Sequence, residues 1–357
     1  MNSIESFIYI SNKLTGWYKN NKRDLPWRDI SDPYRIWISE IILQQTRVNQ
    51  GLSYYNRFIE RFPTVQILAD ADEDEVLKYW QGLGYYTRAR NMHKAAQKIN
   101  TGFNGIFPSL HEDIIQLPGI GEYTAAAISS FAYKEPYAVV DGNVYRVLSR
   151  LFSIQTPIDS SAGKKEFSFL AQNLLSKSHP GIHNQAMMEF GALQCVPVNP
   201  DCEICPLQSA CMAYEMNLVT LLPIKSKKKK STTRYFNYLF IQLEGNTFLQ
   251  KRVASDVWQN LFEFPLIESD HLLNTTELTD TDFFKSIMVD INEVNIFKIS
   301  NPMKHILSHR VIFAQFISIT VSNQNESLKQ FIQVPLIEID HFAVSRLMEI
   351  FLENELN

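Results

Sequence analysis

All four cysteines of this 357-residue chain stand within seventeen positions, as Cys195, Cys202, Cys205 and Cys211, with the spacing C-x6-C-x2-C-x5-C. Four thiols this close together restrict what the chain can do with them. Paired disulfides suit small secreted domains, whereas a chain of this length can build two ordinary hydrophobic cores. Four unligated core cysteines at this density would be a coincidence. A metal site is the remaining use. Zinc and an iron–sulfur cluster both take four cysteine ligands, and ligand chemistry alone does not choose between them.

Charge and hydropathy narrow the class only a little. The net charge is −4, but residues 1–230 carry 25 Lys and Arg against 22 Asp and Glu, a balance of +3, while the remainder carries 9 against 16, a balance of −7. The acidity therefore lies in the C-terminal part, which leaves room for a locally positive DNA-binding face in the first part. No apolar run reaches the length of a membrane span, and the N-terminal MNSIESFIYI has no basic region ahead of an apolar one. An intracellular, cytoplasmic protein with no membrane association is expected, in the cytosol or nucleoid if bacterial.

Apolar residues recur at helical spacing in Tyr34-Trp37-Ile38-Ile41-Ile42 and Leu170-Leu174-Leu175, and Pro and Gly punctuate the segments, so residues 1–215 read as a helical domain. Asp72-Glu73-Asp74-Glu75 suits the first turn of a helix. Residues 216–233 read as a basic linker around Lys225 and Lys227–Lys230, solvated and able to meet a phosphate. From 234 to 357 the period changes. Tyr235–Leu243 and Thr247–Arg252 read as strands joined at Gly245-Asn246, Val311–Val321 as another strand, and Ile339–Leu352 as a closing helix, giving an α+β domain.

Three further features carry chemistry. Leu117-Pro118-Gly119-Ile120-Gly121 separates two helical stretches, Ser109–Leu117 and Tyr123–Tyr133. Such a turn bares backbone N–H groups at a helix start, where a phosphate binds without sequence being read, although an ordinary turn between helices has the same look. Val139-Val140-Asp141-Gly142-Asn143 follows, where Asp141 suits a helix N-cap. Glu40 interrupts an apolar run in Trp37-Ile38-Ser39-Glu40-Ile41-Ile42. Buried there, its charge would be costly without a purpose; on the helix's polar face beside Ser39 and Gln44 it would mean nothing.

Together the hairpin at about 109–134, Asp141 and the cysteine loop at 195–211 resemble the helix–hairpin–helix, endonuclease III-like superfamily over roughly residues 5–215. That resemblance implies a multidomain protein with an all-α glycosylase domain, and it implies a 4Fe–4S cluster on the four cysteines. Within the superfamily the chain resembles the MutY-type adenine DNA glycosylases. Ser39-Glu40-Ile41-Ile42-Leu43-Gln44-Gln45-Thr46, Leu25-Pro26-Trp27-Arg28, Gly82-Leu83-Gly84-Tyr85-Tyr86-Thr87-Arg88, Asn184-Gln185-Ala186 and Glu189-Phe190-Gly191-Ala192 all resemble segments of that family. Endonuclease III-like enzymes place a Schiff-base lysine where this chain has Tyr123, so a monofunctional glycosylase, or one with only weak strand cleavage, is expected.

The resemblance implies roles. Glu40 protonates adenine, Asp141 stabilises the sugar cation, and Tyr123 and Asn143 position them. Arg28, Leu43 and Gln185 line the adenine pocket, Gln45 and Tyr85 fill the gap in the duplex, and Gly119 and Gly121 hold the DNA backbone. The expected partner is double-stranded DNA with adenine opposite 8-oxoguanine or guanine, bound by a monomer.

Residues 235–357 resemble the family's Nudix-like C-terminal domain, without the Glu-rich catalytic box, so no nucleotide hydrolysis is expected. Residues 254–265 resemble its G-L-W-x-F-P region but differ at Val257 and Phe262-Glu263. His305-Ile306-Leu307-Ser308-His309 resembles the loop that meets 8-oxoguanine, with Leu307 where the family often has Phe, which leaves Ser308 and His309 as contacts. Two alternatives stay open: a glycosylase for oxidised pyrimidines or mismatched thymine, and a non-catalytic helix–hairpin–helix DNA-binding module. Tyr123 and the long C-terminal part weigh against the first, and the joint presence of Glu40 and Asp141 against the second.

Overall fold

A computed structural model describes residues 3–226 and 231–355. Lys227–Lys230 of the basic linker lie outside them. The chain forms two compact units, Met1–Asp70 with Asn91–Lys227, and Ala71–Arg90 with Lys228–Asn357. The second unit thus contains a stretch that the sequence reading assigns to the helical domain. Helix Glu73–Trp80, the Gly82–Tyr86 loop and the first turn of helix Thr87–Gly102 bond to C-terminal residues: Lys251 Nζ to Asp74, Asn260 Nδ2 to Glu73, Tyr86 Oη to the Val344 carbonyl, and Arg90 Nη1 to the Gln259 carbonyl. No helix among the described residues is long and apolar enough to cross a membrane.

The described residues of the first unit form helices and no strand. Helix Pro33–Leu43 starts where Asp32 accepts from the Tyr34 and Arg35 amides and Pro33 supplies a preset φ. Helix Gly142–Leu151 is capped by Asp141, and helix Pro180–Leu193 again opens on proline. Ile10 and Leu14 of the first helix (Ser3–Asn21), Val144, Val147 and Leu148 of Gly142–Leu151, Phe167 of Ser161–Leu174 and Phe190 of Pro180–Leu193 close one core, with Cys195, Cys205 and Cys211 packed at its edge.

The hairpin is tighter than expected. Its first helix is only His111–Ile114, followed by turns to Gly119, and the second is Glu122–Ala132. Gly119 has φ +75°, and a Cβ there would lie 2.6 Å from Cβ of Asn91, so both backbone and space require glycine.

The second unit holds a mixed sheet of eight strands: β1 (Thr232–Leu243), β2 (Asn246–Lys251), β3 (Phe262–Glu263), β4 (Leu266–Ser269), β5 (Val294–Ile299), β6 (Met303–Ile306), β7 (Arg310–Val321) and β8 (Ile332–Pro335). Parallel β1 and β7 pair along their length, Thr232 with Arg310 through Gln242 with Thr320. Alternate residues serve opposite faces. Leu239, Ile241, Ile317 and Ile319 pack with Leu278, Phe284 and Ile287 of helices Thr275–Asp280 and Asp282–Met288. On the other face, Phe351 of helix Arg346–Glu355 stacks on Phe316 at 4.1 Å and meets Phe240 edge-on.

Two expectations are corrected here. The β1–β2 turn is Glu244-Gly245, with φ 47° and 78°, and Asn246 already belongs to the strand. Two successive left-handed residues match the twist of a tight hairpin. The closing helix is broken: Leu336–His341 is a 3-10 turn, and the α-helix begins at Arg346. Between them Ala343 and Val344 run extended, where the Ala343 carbonyl accepts the Phe262 amide and Val344 bridges to Phe262.

Candidate active site

Glu40 sits on the buried face of helix Pro33–Leu43 with only 6% of its surface exposed. The polar-face alternative is thereby removed. Its Oε2 accepts a hydrogen bond of 2.5 Å from the Tyr123 hydroxyl, one residue into helix Glu122–Ala132. Burial raises the Glu40 pKa; the Tyr123 hydrogen bond and the Arg28 charge work against that rise, and the Asp141 charge adds to it. Tyr123 is itself held protonated, by burial first and then by Glu40 and Asp141.

Asp141 caps helix Gly142–Leu151 with one oxygen and remains fixed by the other. Oδ1 accepts from the Asn143 and Val144 amides at 3.0 and 2.8 Å, and Oδ2 accepts from Asn143 Nδ2 at 2.8 Å. Burial pushes its pKa up, while these three donors pull it down. A charge at this position also lies at the positive end of the helix dipole. The N-cap reading and the catalytic reading of Asp141 are thus compatible.

Asn143 is held in turn by Arg146, whose Nη2 donates to Asn143 Oδ1 at 2.8 Å and to the Gly191 carbonyl at 2.7 Å. Arg146 Nε donates to the Cys195 carbonyl. A Cβ on Gly191 would lie 2.6 Å from Asn143 Cβ. The sequence reading misses Arg146 as a site residue. Its signal is weak: Arg146 and Arg150 are buried arginines four apart on the helix that Asp141 starts.

Arg28 Nη2 donates to Glu189 Oε2 at 3.0 Å. Gln185 Oε1 accepts from the Tyr18 hydroxyl at 2.8 Å. Leu43 ends helix Pro33–Leu43 and lies against Gly51, while Gln45 is exposed with φ 59° just beyond. Gly121 caps helix Glu122–Ala132 without a side-chain acceptor, leaving the first-turn amides of that helix to other partners.

The four cysteines line one cavity with Val147, Arg150, Leu151, Phe190 and Leu207. Arg150 organises the surrounding loop. Its Nη1 donates to Cys195 Sγ at 3.3 Å and to the Val196 carbonyl, Nη2 to the Pro197 carbonyl, and Nε to the Val219 and Leu222 carbonyls. Burial pushes the Cys205 thiol up to about 11, and the neighbouring cysteines add to the rise. Among the described residues no three His, Cys, Asp or Glu side chains are placed as ligands of a single ion. A zinc ion would draw four sulfurs to about 2.3 Å from one point. Four thiols around one cavity supply the donor set that either a zinc ion or an iron–sulfur cluster takes.

In the second unit Tyr85, left-handed at φ 48° and half exposed, bonds through its hydroxyl to Ser308 Oγ at 2.6 Å. Ser308 and His309 are exposed in the turn from β6 to β7, where the Leu307 amide donates to the Arg310 carbonyl. Asp256 binds Arg234, Arg252 and Arg310, tying that turn to the 253–260 loop, and the two loops share a cleft of about 550 Å³ with Tyr85 and Trp258.

These features define a helical base-excision scaffold followed by a mixed-sheet domain. Residues 38–172 match the family of HhH-GPD superfamily base excision DNA repair proteins, and residues 237–354 match the NUDIX domain family. The adenine DNA glycosylase of Buchnera aphidicola subsp. Baizongia pistaciae is 38% identical over 325 residues, covering 88% of this chain and 89% of that protein. The adenine DNA glycosylase of Mus musculus is 43% identical over 211 residues, covering 57% of this chain and 41% of its own. A solved thermostable thymine-DNA glycosylase superposes with a TM-score of 0.55 at 28% identity, covering 59% of this chain and 98% of that one. The chain belongs to the MutY-type adenine DNA glycosylase family of base-excision repair enzymes.

Proposed function

We propose that the chain removes adenine mispaired with 8-oxoguanine or guanine by acid-assisted hydrolysis of the N-glycosidic bond. The buried Glu40–Tyr123 pair, close enough to Asp141 for the charges to interact, is the observation that carries this reading. Adenine leaves poorly because its departure puts negative charge on the ring. Glu40, whose protonated form burial favours, gives its proton to adenine N7. Asp141, with three N–H donors aimed at its oxygens, faces the oxocarbenium-like sugar as a carboxylate. Tyr123 offers no amine for a Schiff base, so strand cleavage does not follow.

The target nucleotide is first turned out of the duplex. Arg28, Leu43 and Gln185 receive the base, Gln45 and Tyr85 occupy the space it leaves, and Ser308 and His309 meet the opposite lesion. The turn at Gly119 and Gly121 presents a phosphate to the amides that open helix Glu122–Ala132. Cys195, Cys202, Cys205 and Cys211 hold a 4Fe–4S cluster; their shared cavity supports this. That group braces the 195–211 loop, and no step at the sugar passes through it.

Single-turnover excision on duplexes bearing A opposite 8-oxoG, A opposite G, and an oxidised pyrimidine tests the reading. Adenine release from the first two supports it. Release of the pyrimidine, or of nothing, overturns it.

A further inference from the structure

Glu189 is an ionisable side chain that the mechanism above does not use, and it is 1% exposed on helix Pro180–Leu193. Both its oxygens are occupied. Oε1 accepts from the Arg23 amide at 3.0 Å and Arg23 Nε at 2.7 Å; Oε2 accepts from Arg23 Nη2 at 2.9 Å and Arg28 Nη2 at 3.0 Å. Arg23 therefore grips the carboxylate as a fork, whereas Arg28 is tied by one N–H only. Both arginines lie in the irregular segment between helices Ser3–Asn21 and Pro33–Leu43, which this carboxylate anchors.

Arg28 is the informative partner. Its side chain is 10% exposed, yet its Nε is buried with no hydrogen-bond partner among the described residues. A buried N–H left open calls for an acceptor. Arg28 is also close enough to Glu40 for its charge to favour the ionised carboxylate, which is the wrong form for an acid.

We propose that Glu189 is the positioning residue of the base pocket: it fixes the Arg28 guanidinium with Nε left open for an acceptor nitrogen of the adenine ring, and it offsets the arginine charge beside Glu40. This rests on the adenine-excision reading above. An arginine without this counter-charge would both swing and deprotonate its neighbour. The carboxylate solves both problems from the side away from the base.

The charged and titratable groups that bear on this balance are few. Glu40 faces Tyr123, Arg28 and Asp141. Around Glu189 and Arg28 stand Arg23 and Tyr18, and Tyr18 in turn feels the surface pair Lys22 and Asp29. All except the substituted group stay in place in the variants below.

The test is single-turnover excision of adenine by the full chain as a function of pH, for the unaltered protein, Glu189→Gln, Glu189→Asp and Arg23→Met, with duplex affinity and thermal unfolding in parallel. Glu189→Gln should slow excision roughly tenfold to a hundredfold while leaving duplex affinity within about twofold. It should also move the alkaline limb of the profile to lower pH by roughly one pH unit, because the Arg28 charge then acts on Glu40 with less compensation. Glu189→Asp should bring the limb back. Arg23→Met leaves the Glu189 charge to act on Arg28 alone and should move it the other way. A uniform loss at every pH, or no loss at all, overturns the proposal as a merely structural role would. If Glu189→Gln does not fold, an unmoved limb in Arg23→Met overturns it equally. An unaltered protein that releases no adenine defeats the excision reading instead, so the two failures are distinct.

Discussion

The Tyr123 hydroxyl donates to Oε2 of Glu40, joining the helix after the glycine hairpin to the helix Pro33–Leu43 through two buried side chains. The bond favours the ionised form of Glu40, against burial. Tyr123→Phe removes it and keeps the ring, so the Glu40 pKa should rise further. The alkaline limb of the excision profile should then move to higher pH, with a loss of about tenfold at the optimum from poorer orientation. A limb that moves to lower pH would contradict this assignment.

Glu40→Gln keeps the shape and removes the proton. Single-turnover excision should fall by about a hundredfold or more, the scale of general acid catalysis. Duplex affinity, measured by fluorescence anisotropy, should stay within about twofold. Near-normal excision would remove Glu40 from the acid role.

Arg150 donates to four loop carbonyls and to Cys195 Sγ. Arg150→Ala leaves those buried acceptors without a donor, at a cost of about 3 kcal/mol or more. The variant should be purified with a reduced iron content and a weaker visible absorbance band. Full iron loading with an unchanged melting temperature would mean that the loop holds itself.

His183 is buried on helix Pro180–Leu193 with Ser11 Oγ at 2.9 Å from Nδ1, and burial holds its pKa down to about 4. The folded chain therefore keeps this ring neutral where the unfolded chain takes up a proton. The stability it contributes is whole above about pH 6.5 and is lost as pH falls toward 4, a difference of about 3 kcal/mol at most. Melting temperatures from pH 7.5 to 4.5 should show a decline that His183→Gln lacks. Parallel declines in the two proteins would rule out His183 as its source.

Ser308 shares a hydrogen bond with Tyr85 in the exposed turn before β7. Ser308→Ala should reduce the preference for adenine opposite 8-oxoG over adenine opposite G by about tenfold, the worth of one good hydrogen bond, and leave the A·G rate nearly unchanged. Equal losses on both duplexes would assign Ser308 to general DNA binding.

Much of the site is legible in the sequence because its parts announce themselves locally. Glu40 is a charge inside an apolar helical run, Asp141 precedes the glycine of a helix start, and the cysteines stand together. Glu189 is legible only as part of a family-like segment, with nothing to show its role, and Arg146 carries no such mark. Glu189 reaches Arg23 across 166 residues, and a glutamate whose partner is that distant reads like any surface glutamate. The fold divides similarly. The long strands β1 and β7 follow from their alternating residues, while the break at residues 342–345 is set by a bridge to Phe262, a tertiary demand that overrides the helical pattern around it.

Residues 71–90 belong by their bonds to the unit that otherwise begins beyond the linker. Covalent order and spatial order therefore disagree, and the C-terminal unit is not a cassette that a cut at the linker can release intact. A truncation of the gene at residue 226 would take from Asp74, Glu73 and Tyr86 their partners Lys251, Asn260 and the Val344 carbonyl. An exchange of the C-terminal unit therefore has to carry residues 71–90 with it.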